Sequence, residues 1–300
     1  MRNDTIDVVS DVTAAAQARR GVRLTGATLA AEIRARVSES AAALADADRP
    51  PRLAVVVATA DESTAWYVRS IAKAAAKVGI TCDIVDLDPS SSDAEIEAAL
   101  RRLSADPSVH GVILQTPLPP GVDFATAATA IDLAKDVDGA NPGSLGRLAA
   151  GLPAFPPATA QAVVALLGHY DIPLAGRDTV VVGRSTVVGK PLAHLLLDRD
   201  ATVTVCHSRT ADLAGKTSRA DVVVAAVGRP GLIGQEHVRP DAIVVDVGTN
   251  ATADGGLVGD VDPAVQGHVA GLTPVPGGIG PVTTALLLEH TVRAAEVTSR

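Results

Sequence analysis

Short apolar runs alternate with helix-like segments along most of the chain, and this alternation restricts the fold more than any other feature. In the first half the apolar runs are LAVVVATA (53–60), TCDIVDL (81–87) and GVILQTPLPP (111–120). A second series begins with DTVVVGRSTVVGKPLAHLLL (178–197) and continues with ATVTVCHSRT, ADVVVAAVGRPG and AIVVDVGTN. Parallel strands need a crossover between them, so strand–helix–strand alternation is typical of parallel sheets. The pattern predicts an α/β fold.

The length of the chain and one segment rich in Gly and Pro predict two domains. A chain of 300 residues suggests about two domains, at roughly 150 residues each. The segment NPGSLGRLAAGLPAFPPAT (141–159) interrupts the regular patterns, which is typical of a link between domains. We expect a first domain over residues 1–152, including an extension at 1–22, and a second over 153–283.

Composition excludes several classes of protein. The net charge of −8 argues against a general nucleic-acid binder, which needs a basic surface. No apolar stretch approaches the roughly 20 residues that span a bilayer. Cys82 and Cys206 are far apart in apolar runs, which indicates reduced structural thiols. The seven histidines form no metal-ligand motif, so we expect no metal site. These features favour a cytoplasmic protein that binds neither nucleic acid nor membrane.

A glycine-containing loop follows the first strand of the second series. It runs from Gly183 through Arg184 and Ser185 to Gly189 and opens a helix, the context of a dinucleotide site. Its spacing departs from GxGxxG, since Ser185 stands in place of the second glycine and the last glycine comes one residue late. The alternative is an ordinary strand-to-helix turn.

The end of the next strand bears on the choice of dinucleotide. NAD sites usually place an acid about 20 residues after the glycine loop, on the ribose hydroxyls. Here the strand ends in His207, Ser208, Arg209 and Thr210, with no acid. Arg184 and Arg209 can face a 2′-phosphate, with Ser208 donating a hydrogen bond. This favours NADP over NAD, although two solvated surface arginines would give the same pattern.

Three further stretches are candidates for a substrate site. In KDVDG (135–139), Asp136 and Asp138 can serve as a base or bind an amino-bearing ring, or can simply form a turn. Gln115 ends an apolar strand, where α/β proteins bind ligands, but a structural Gln fits equally. TPVPGGIGPVT (273–283) is too rich in Pro and Gly for helix or strand, and is either a close backbone approach to a ligand or a rigid hinge.

Taken together, these motifs resemble the methylenetetrahydrofolate dehydrogenase/cyclohydrolase family from about residue 23 to the C-terminus. The resemblance rests on motifs in the family's order and near its spacing: Tyr67-Val68, GVILQTPLP, KDVDG, GRSTVVGKP, CHSRT, VVDVGTN, GDV (259–261) and TPVPGGIGPVT. It implies a folate-binding α/β domain and a Rossmann-type NADP-binding domain with a cleft between them. The last helix, within 284–300, is expected to return to the first domain. Members of the family are usually cytoplasmic homodimers.

The resemblance also assigns roles to residues. Tyr67, Gln115 and Asp138 are expected to be catalytic and to hold the folate. The residues expected to flank the folate are Pro276, Gly277 and Gly278. The residues expected to bind NADP are Gly183, Arg184, Ser185, His207, Ser208, Arg209 and Thr249.

One departure from the family pattern concerns catalysis directly. TAWYVRSIAKAAAKVGI (64–80) reads as a helix that stops at Gly79, and the family pattern Tyr-Val-x-x-Lys-x-Lys places its central catalytic Lys four residues after the Tyr. Here Ile71 occupies that position. Lys73 survives, but lies about 200° around the helix from it. The approach to Tyr67 and the segment Pro157–Ala162 also depart from the family.

These departures predict an NADP-dependent methylenetetrahydrofolate dehydrogenase with weak or absent cyclohydrolase activity. Hydride transfer needs mainly positioning, whereas hydrolysis of the methenyl cation needs proton transfer, which isoleucine cannot perform. Three alternatives stay open. Arg69 or a water on Gln115 can restore the second step. The chain can bind folate or nucleotide without turnover. It can also oxidise a different small molecule.

Overall fold

The computed structural model describes residues 21–252 and 254–297 and divides into two compact units. Among these residues, 21–27, 163–252 and 254–280 form the six-stranded unit, and 28–162 and 281–297 form the three-stranded unit. Most of the predicted extension, residues 1–20, lies outside the described residues. Its last two residues, Gly21 and Val22, donate backbone hydrogen bonds to Val269 and Ala270.

The elements follow the alternation seen in the sequence. The strands are β1 (Val22–Arg23), β2 (Arg52–Val57), β3 (Thr81–Asp86), β4 (Gly111–Leu114), β5 (Asp178–Val182), β6 (Thr202–Cys206), β7 (Val222–Ala225), β8 (Ile243–Asp246), β9 (Asn250–Ala251), β10 (Leu257–Val258) and β11 (Gly271–Leu272). The helices are α1 (Ala27–Asp46), α2 (Glu62–Lys77), α3 (Asp93–Ala105), α4 (Phe124–Ala128), α5 (Pro142–Ala149), α6 (Ala158–His169), α7 (Gly189–Leu197), α8 (Leu213–Thr217) and α9 (Ile279–Val297). Short 3₁₀ turns lie at Gln235–His237 and Pro263–Val265.

The three-stranded unit is built on a parallel sheet of order β3-β2-β4. Its central strand β2 is buried over Leu53–Val57, and β4 is buried throughout. Continuous burial explains why these runs are aliphatic rather than alternating. Helix α3 begins at a capping box, in which the Ser92 side chain accepts from the Glu95 N–H and the Glu95 carboxylate accepts from the Ser92 N–H.

The six-stranded unit contains a parallel sheet of order β1-β11-β8-β7-β5-β6. The chain passes from β5 to β6 on one side and then crosses back to β7 on the other. Beside β5 the winding therefore reverses, and ligands bind at the carboxyl ends of the strands at such a point. Strands β9 and β10 form a separate antiparallel pair.

The predicted two-domain α/β fold with parallel sheets is confirmed, and α9 from Pro281 onward belongs to the three-stranded unit, as expected. The contact boundaries fall at 162/163, inside α6, and at 280/281. The division at 152/153 and 283/284 stays a prediction about functional domains. Both Cys82 and Cys206 are free thiols. In the described part of the chain, no helix is long and apolar enough to cross a membrane.

Candidate active site

Helix α2 carries Tyr67 and Ile71 in the three-stranded unit. The helix begins after Asp61, whose carboxylate accepts from the Thr64 N–H at 2.8 Å. Its buried stripe comprises Thr64, Val68, Ile71 and Ala75. Ile71 is 0% exposed, so the position at which the resemblance predicts a lysine is part of the core-facing stripe of α2. Lys73 and Arg69 are exposed, as their helical positions predict.

The two acids of KDVDG occupy different environments. Asp136 is buried, and its carboxylate accepts from the N–H groups of Ala140 and Asn141 at 2.8 and 2.9 Å and from the Ser144 hydroxyl at 2.6 Å. These bonds tie Asp136 to the start of α5. Asp136 is therefore fully engaged in holding the turn.

Asp138 is held by fewer bonds and remains partly exposed. Its carboxylate accepts a backbone hydrogen bond from Ala158 at the start of α6. Burial, together with the charge of neighbouring Asp136, raises the pKa of Asp138 to about 7, although the hydrogen bond from Ala158 opposes the shift. Asp138 therefore titrates near neutral pH and has acceptor capacity left for another molecule.

The backbone after Asp138 requires glycine. Gly139 has φ +60°, and a Cβ there would lie 2.5 Å from the Pro157 nitrogen and 2.8 Å from the Phe155 carbonyl oxygen. Any larger residue would push KDVDG away from the segment that leads into α6. The glycine of the motif thus fixes the distance between Asp138 and Ala158.

Tyr67 and Asp138 lie close enough to interact. The pKa of Tyr67 is raised to about 12, first by burial and then by the charge of Asp138, while a hydrogen bond with the Thr284 side chain on α9 partly offsets this. Tyr67 is therefore protonated at neutral pH and can donate a hydrogen bond. The structure therefore brings Tyr67 and Asp138 together, and Ile71 lies one helical turn after Tyr67 on α2.

Gln115 lies immediately after β4, at the carboxyl edge of the three-stranded sheet. Its backbone N–H donates to the Val56 carbonyl at 2.9 Å, which extends the pairing of β4 with β2 by one residue. Its side-chain amide donates to the Thr116 carbonyl at 2.9 Å. The side-chain oxygen of Gln115 is left available to an incoming group.

In the six-stranded unit, two glycines let the loop after β5 pack backbone against backbone. A Cβ at Gly183, where φ is +130°, would lie 2.1 Å from the Ala226 carbonyl oxygen, and a Cβ at Gly189 would lie 2.1 Å from the Gly183 oxygen. The Ser185 hydroxyl accepts from the N–H groups of Val188 and Gly189 at 3.1 and 3.4 Å. The loop is thus a compact turn at the start of α7, as a dinucleotide site requires.

The turn after β6 lies beside this loop. Val182 pairs with Cys206, and the Gly183 N–H donates to the Cys206 carbonyl at 2.9 Å, so both loops leave the same sheet edge. Within the second turn, the Thr210 hydroxyl accepts from the His207 N–H at 2.8 Å, and the Arg209 N–H donates to His207 Nδ1 at 3.1 Å. The His207 ring is therefore used to shape the turn.

Exposed cations flank this shared edge. Arg184, Ser208 and Arg209 are all exposed. The ion pairs among the described residues include neither arginine. Two exposed guanidinium groups beside adjacent strand ends have the chemistry to bind an anion such as a 2′-phosphate.

Two buried aspartates, Asp246 and Asp260, hold the loops that follow β8 and β7 in this sheet. Asp246, at the end of β8, accepts from the N–H groups of Gly248, Asp260 and Val261 at 2.9, 2.9 and 3.0 Å. Burial raises the pKa of Asp246 to about 6. The short link that Asp246 holds ends at Thr249, which is exposed and lies two strands away from Gly183.

The second aspartate, Asp260, is 0% exposed. It accepts from the N–H groups of Val227, Gly228 and Arg229 at 2.6 to 3.0 Å, and from the Asn250 side chain at 3.0 Å. It thereby fixes the loop that follows β7, next to the glycine loop. Sequence reasoning assigned no role to Asp246 or Asp260, although an acid that ends the apolar run IVVD was a usable signal.

The Pro- and Gly-rich loop after β11 is held within the same unit. The Gly277 carbonyl accepts from the Gly26 N–H at 2.9 Å, and Gly277 has φ +106°. A Cβ at Gly278 would lie 2.7 Å from the Pro274 oxygen, while Pro276 is exposed. The left-handed backbone at Gly277 and the close packing at Gly278 therefore require glycine at both positions.

The six-stranded sheet ends in a glycine turn with exposed arginines beside it, and the other α/β unit carries a carboxylate that titrates near neutral pH. This combination indicates a two-domain dehydrogenase that uses a nicotinamide dinucleotide. Comparisons with known proteins narrow this class. Residues 24–138 match the catalytic domain of the tetrahydrofolate dehydrogenase/cyclohydrolase family, and residues 157–299 match its NAD(P)-binding domain. The chain belongs to this family.

Named relatives and solved structures agree. The chain is 66% identical to bifunctional protein FolD 1 of Saccharopolyspora erythraea, over 91% of this chain and 93% of the relative, and 63% identical to FolD 1 of Rhodococcus jostii, over 91% and 92%. The FolD crystal structure from Campylobacter jejuni has 39% identity and a TM-score of 0.89, covering 92% of this chain and 99% of that one. The Trypanosoma brucei FolD structure with NADP and an inhibitor has 35% identity and a TM-score of 0.88, covering 93% and 98%.

These matches confirm two predictions from the sequence. The chain is a methylenetetrahydrofolate dehydrogenase, and its cofactor is NADP. The compact turn at Gly183 and the free arginines beside it fit that dinucleotide. The roles of individual site residues stay predictions, as does the loss of the cyclohydrolase step.

Proposed function

We propose that this enzyme oxidises 5,10-methylenetetrahydrofolate to 5,10-methenyltetrahydrofolate with NADP and converts the product only weakly to 10-formyltetrahydrofolate. The observation that carries the proposal is the complete burial of Ile71 on α2, one turn after Tyr67. The relatives named above are bifunctional proteins, so the proposal separates this chain from them at one step.

In the dehydrogenase step the protein mainly positions the reactants. When bound, NADP supplies a nicotinamide ring that accepts a hydride. The folate cation left behind is stabilised by the two nitrogens that flank its carbon, so no protein group need move a proton. Tyr67, Gln115 and Asp138 hold the folate, and Asp138 accepts hydrogen bonds from the amino-bearing edge of the pterin. Positioning alone supports a large rate gain.

The cyclohydrolase step has a different requirement. Water must add to the methenyl carbon and a C–N bond must break, which needs proton transfer worth about 10²–10⁴-fold. An isoleucine has no proton to give or take. Tyr67 cannot accept a proton at neutral pH, because its pKa of about 12 keeps the phenol protonated, and Asp138 is assigned to the pterin edge.

We also propose that NADP binds at the shared carboxyl edge of β5 and β6. Arg184 and Arg209 bind the 2′-phosphate of NADP, and Ser208 donates to it. Gly183 and Ser185 hold the pyrophosphate against the start of α7, while His207 and Thr249 complete the rim. Pro276, Gly277 and Gly278 flank the folate. We also propose a cytoplasmic homodimer, in line with the family.

Initial-rate kinetics test the proposal. The purified enzyme should form NADPH from methylenetetrahydrofolate faster than NADH from NAD. Asp138→Asn should raise the KM for folate and leave the KM for NADP unchanged. Folate binding without NADPH formation would support a non-catalytic binder instead. Tight NADP binding that folate does not affect would support a different substrate.

A further inference from the structure

His290 is a buried histidine on α9 whose contacts converge on the segment around Asp138. It is 0% exposed. Its Nδ1 lies 2.7 Å from the Val137 carbonyl oxygen, and its Nε2 lies 2.7 Å from the side-chain oxygen position of Gln161. No motif in the sequence points to this residue, and the dehydrogenase step described above does not use it.

The hydrogen-bond partners define the state of the ring. A carbonyl oxygen can only accept, so Nδ1 carries the proton and donates to Val137. Burial, together with the nearby Arg293, lowers the pKa of His290 to about 4, so the ring is neutral at neutral pH. Nε2 is then an acceptor, and the Gln161 amide must turn its NH₂ group toward it; the two orientations of an amide are assigned from such networks.

Both partners of His290 lead to Asp138. The Val137 carbonyl belongs to the peptide that joins Val137 to Asp138, so the first hydrogen bond fixes the backbone of Asp138. Gln161 lies in the first turn of α6, where its N–H donates to the Pro157 carbonyl at 2.9 Å. The same turn contributes the Ala158 N–H that holds the Asp138 carboxylate. The imidazole therefore connects both supports of one side chain.

We infer that His290, acting with Gln161, is a positioning residue that aims the Asp138 carboxylate at the amino-bearing edge of the folate ring. This inference rests on the proposed role of Asp138. His290 does not touch the substrate and acts only through the Val137 peptide and the first turn of α6. Loss of its two hydrogen bonds should loosen folate binding and leave cofactor binding alone.

A phenylalanine at position 290 separates hydrogen bonding from packing. The His290 ring packs against Phe155, with centroids 5.0 Å apart, and a phenylalanine ring can keep that contact while losing both hydrogen bonds. We expect His290→Phe to raise the KM for methylenetetrahydrofolate about tenfold, as expected for lost buried hydrogen bonds, with the KM for NADP unchanged. Gln161→Leu should give a smaller rise in the same direction, and carries the test if His290→Phe does not fold.

A control variant and a double-mutant cycle make the test specific. Val292→Ala removes a buried side chain from the same helix, about 200° around its axis from His290, and should lower the melting temperature without raising the folate KM. In an Asp138→Asn background, His290→Phe should add no further rise in folate KM. The inference would be overturned if His290→Phe raised the folate KM as much in the Asp138→Asn background as in the native protein. It would also be overturned if Val292→Ala raised the folate KM as much as His290→Phe does.

The double-mutant cycle also tests the positioning role of His290 separately from the proposed role of Asp138 in folate binding. If Asp138→Asn alone leaves the folate KM unchanged, the proposed role of Asp138 is wrong, and the role of His290 falls with it. If Asp138→Asn raises the KM while neither His290→Phe nor Gln161→Leu does, only the positioning role is wrong.

Discussion

At the scale of single residues, the structure gives the same side-chain type two different uses. Asp136 and Asp138 are two residues apart. The Asp136 carboxylate accepts three hydrogen bonds at the start of α5, whereas the Asp138 carboxylate accepts one and can accept more from another molecule. Ile71 occupies the position at which the sequence resemblance predicts a lysine, and it lies on the buried stripe of α2. The residue type alone does not distinguish these roles; the burial and the hydrogen-bond partners of each side chain do.

Restoring the lysine tests the role assigned to Ile71. Ile71→Lys should raise the rate of methenyltetrahydrofolate hydrolysis, because burial lowers the pKa of a lysine and favours its action as a base. The gain should be partial, since a misplacement of about 1 Å can reduce the rate about 10²-fold. The same change should destabilise the protein by about 2 kcal/mol or more, because a charge-bearing group enters a buried stripe.

Ile71→Met is the matched control for that experiment. Methionine is similar in length to lysine and has no amine, so it should leave hydrolysis at the native rate. An equal increase in both variants would show that space, not proton transfer, limits the second step.

The raised pKa of Asp138 predicts a pH dependence of folate use. The folded-state pKa of about 7 means that the ionised, binding-competent form appears as pH rises through 7. The kcat/KM for folate should therefore fall about tenfold per pH unit below 7 and level off above it. A profile that stays flat from pH 5.5 to 8.5, in a buffer series at constant ionic strength, would contradict this.

The raised pKa of Asp138 also makes the stability of the folded protein depend on pH, with lower stability at high pH. Because the folded state favours the protonated carboxyl, stability contributed by Asp138 is present at low pH and is lost as pH rises from about 4 to about 7. Asp138→Asn should therefore raise the melting temperature at pH 8 relative to native protein, and do so much less at pH 5. Thermal unfolding at the two pH values measures the difference.

At the scale of elements, loops at strand ends carry most of the candidate site. The glycine loop could be found from sequence because Gly183 and Gly189 follow a strand and open a helix at a recognisable spacing. Asp260 could not, because its partners Val227, Gly228 and Arg229 lie more than 30 residues away along the chain. His290 lies 153 residues from Val137. Hydrogen bonds between such distant residues leave no local periodic signal.

Asp260 provides a test of how strongly these loops depend on one carboxylate. Asp260→Asn replaces an oxygen with an NH₂ group facing backbone N–H donors, so it should destabilise the protein by about 2–4 kcal/mol. It should also weaken NADP binding, since the loop after β7 lies beside the glycine loop. Denaturant unfolding and cofactor titration measure the two effects. Asp262→Asn is the control and should change neither, because it is a half-buried capping position where Asn caps as well as Asp.

The cationic rim makes a separate prediction about cofactor choice. Arg184→Ala should raise the KM for NADP about tenfold, as expected for a lost charge-assisted hydrogen bond, and barely change the KM for NAD. Arg199→Ala removes an exposed cation at the other end of α7 and is the control. Equal effects of Arg184→Ala on the two cofactors would show that Arg184 does not bind the 2′-phosphate.

At the scale of the whole molecule, the alternation of strands and helices was enough to predict two α/β units with parallel sheets. Each unit is built from two separate segments of the chain, and this was harder to predict from the residues themselves. Strand β1 has only two residues, too few for a periodic pattern, yet it pairs with β11 in the six-stranded sheet. The return of α9 followed from the family resemblance, and its value becomes clear from the structure, because α9 brings Thr284 and His290 to the residues around Tyr67 and Asp138.

The central claim, oxidation without efficient hydrolysis, is tested most directly by following NADPH and methenyltetrahydrofolate together in one progress curve. With methylenetetrahydrofolate and NADP as substrates, methenyltetrahydrofolate should accumulate nearly one for one with NADPH, and should disappear at the rate of a sample from which the enzyme has been removed. NADPH formation with little methenyltetrahydrofolate, and with hydrolysis well above that spontaneous rate, would contradict the account and indicate that another group replaces the missing lysine.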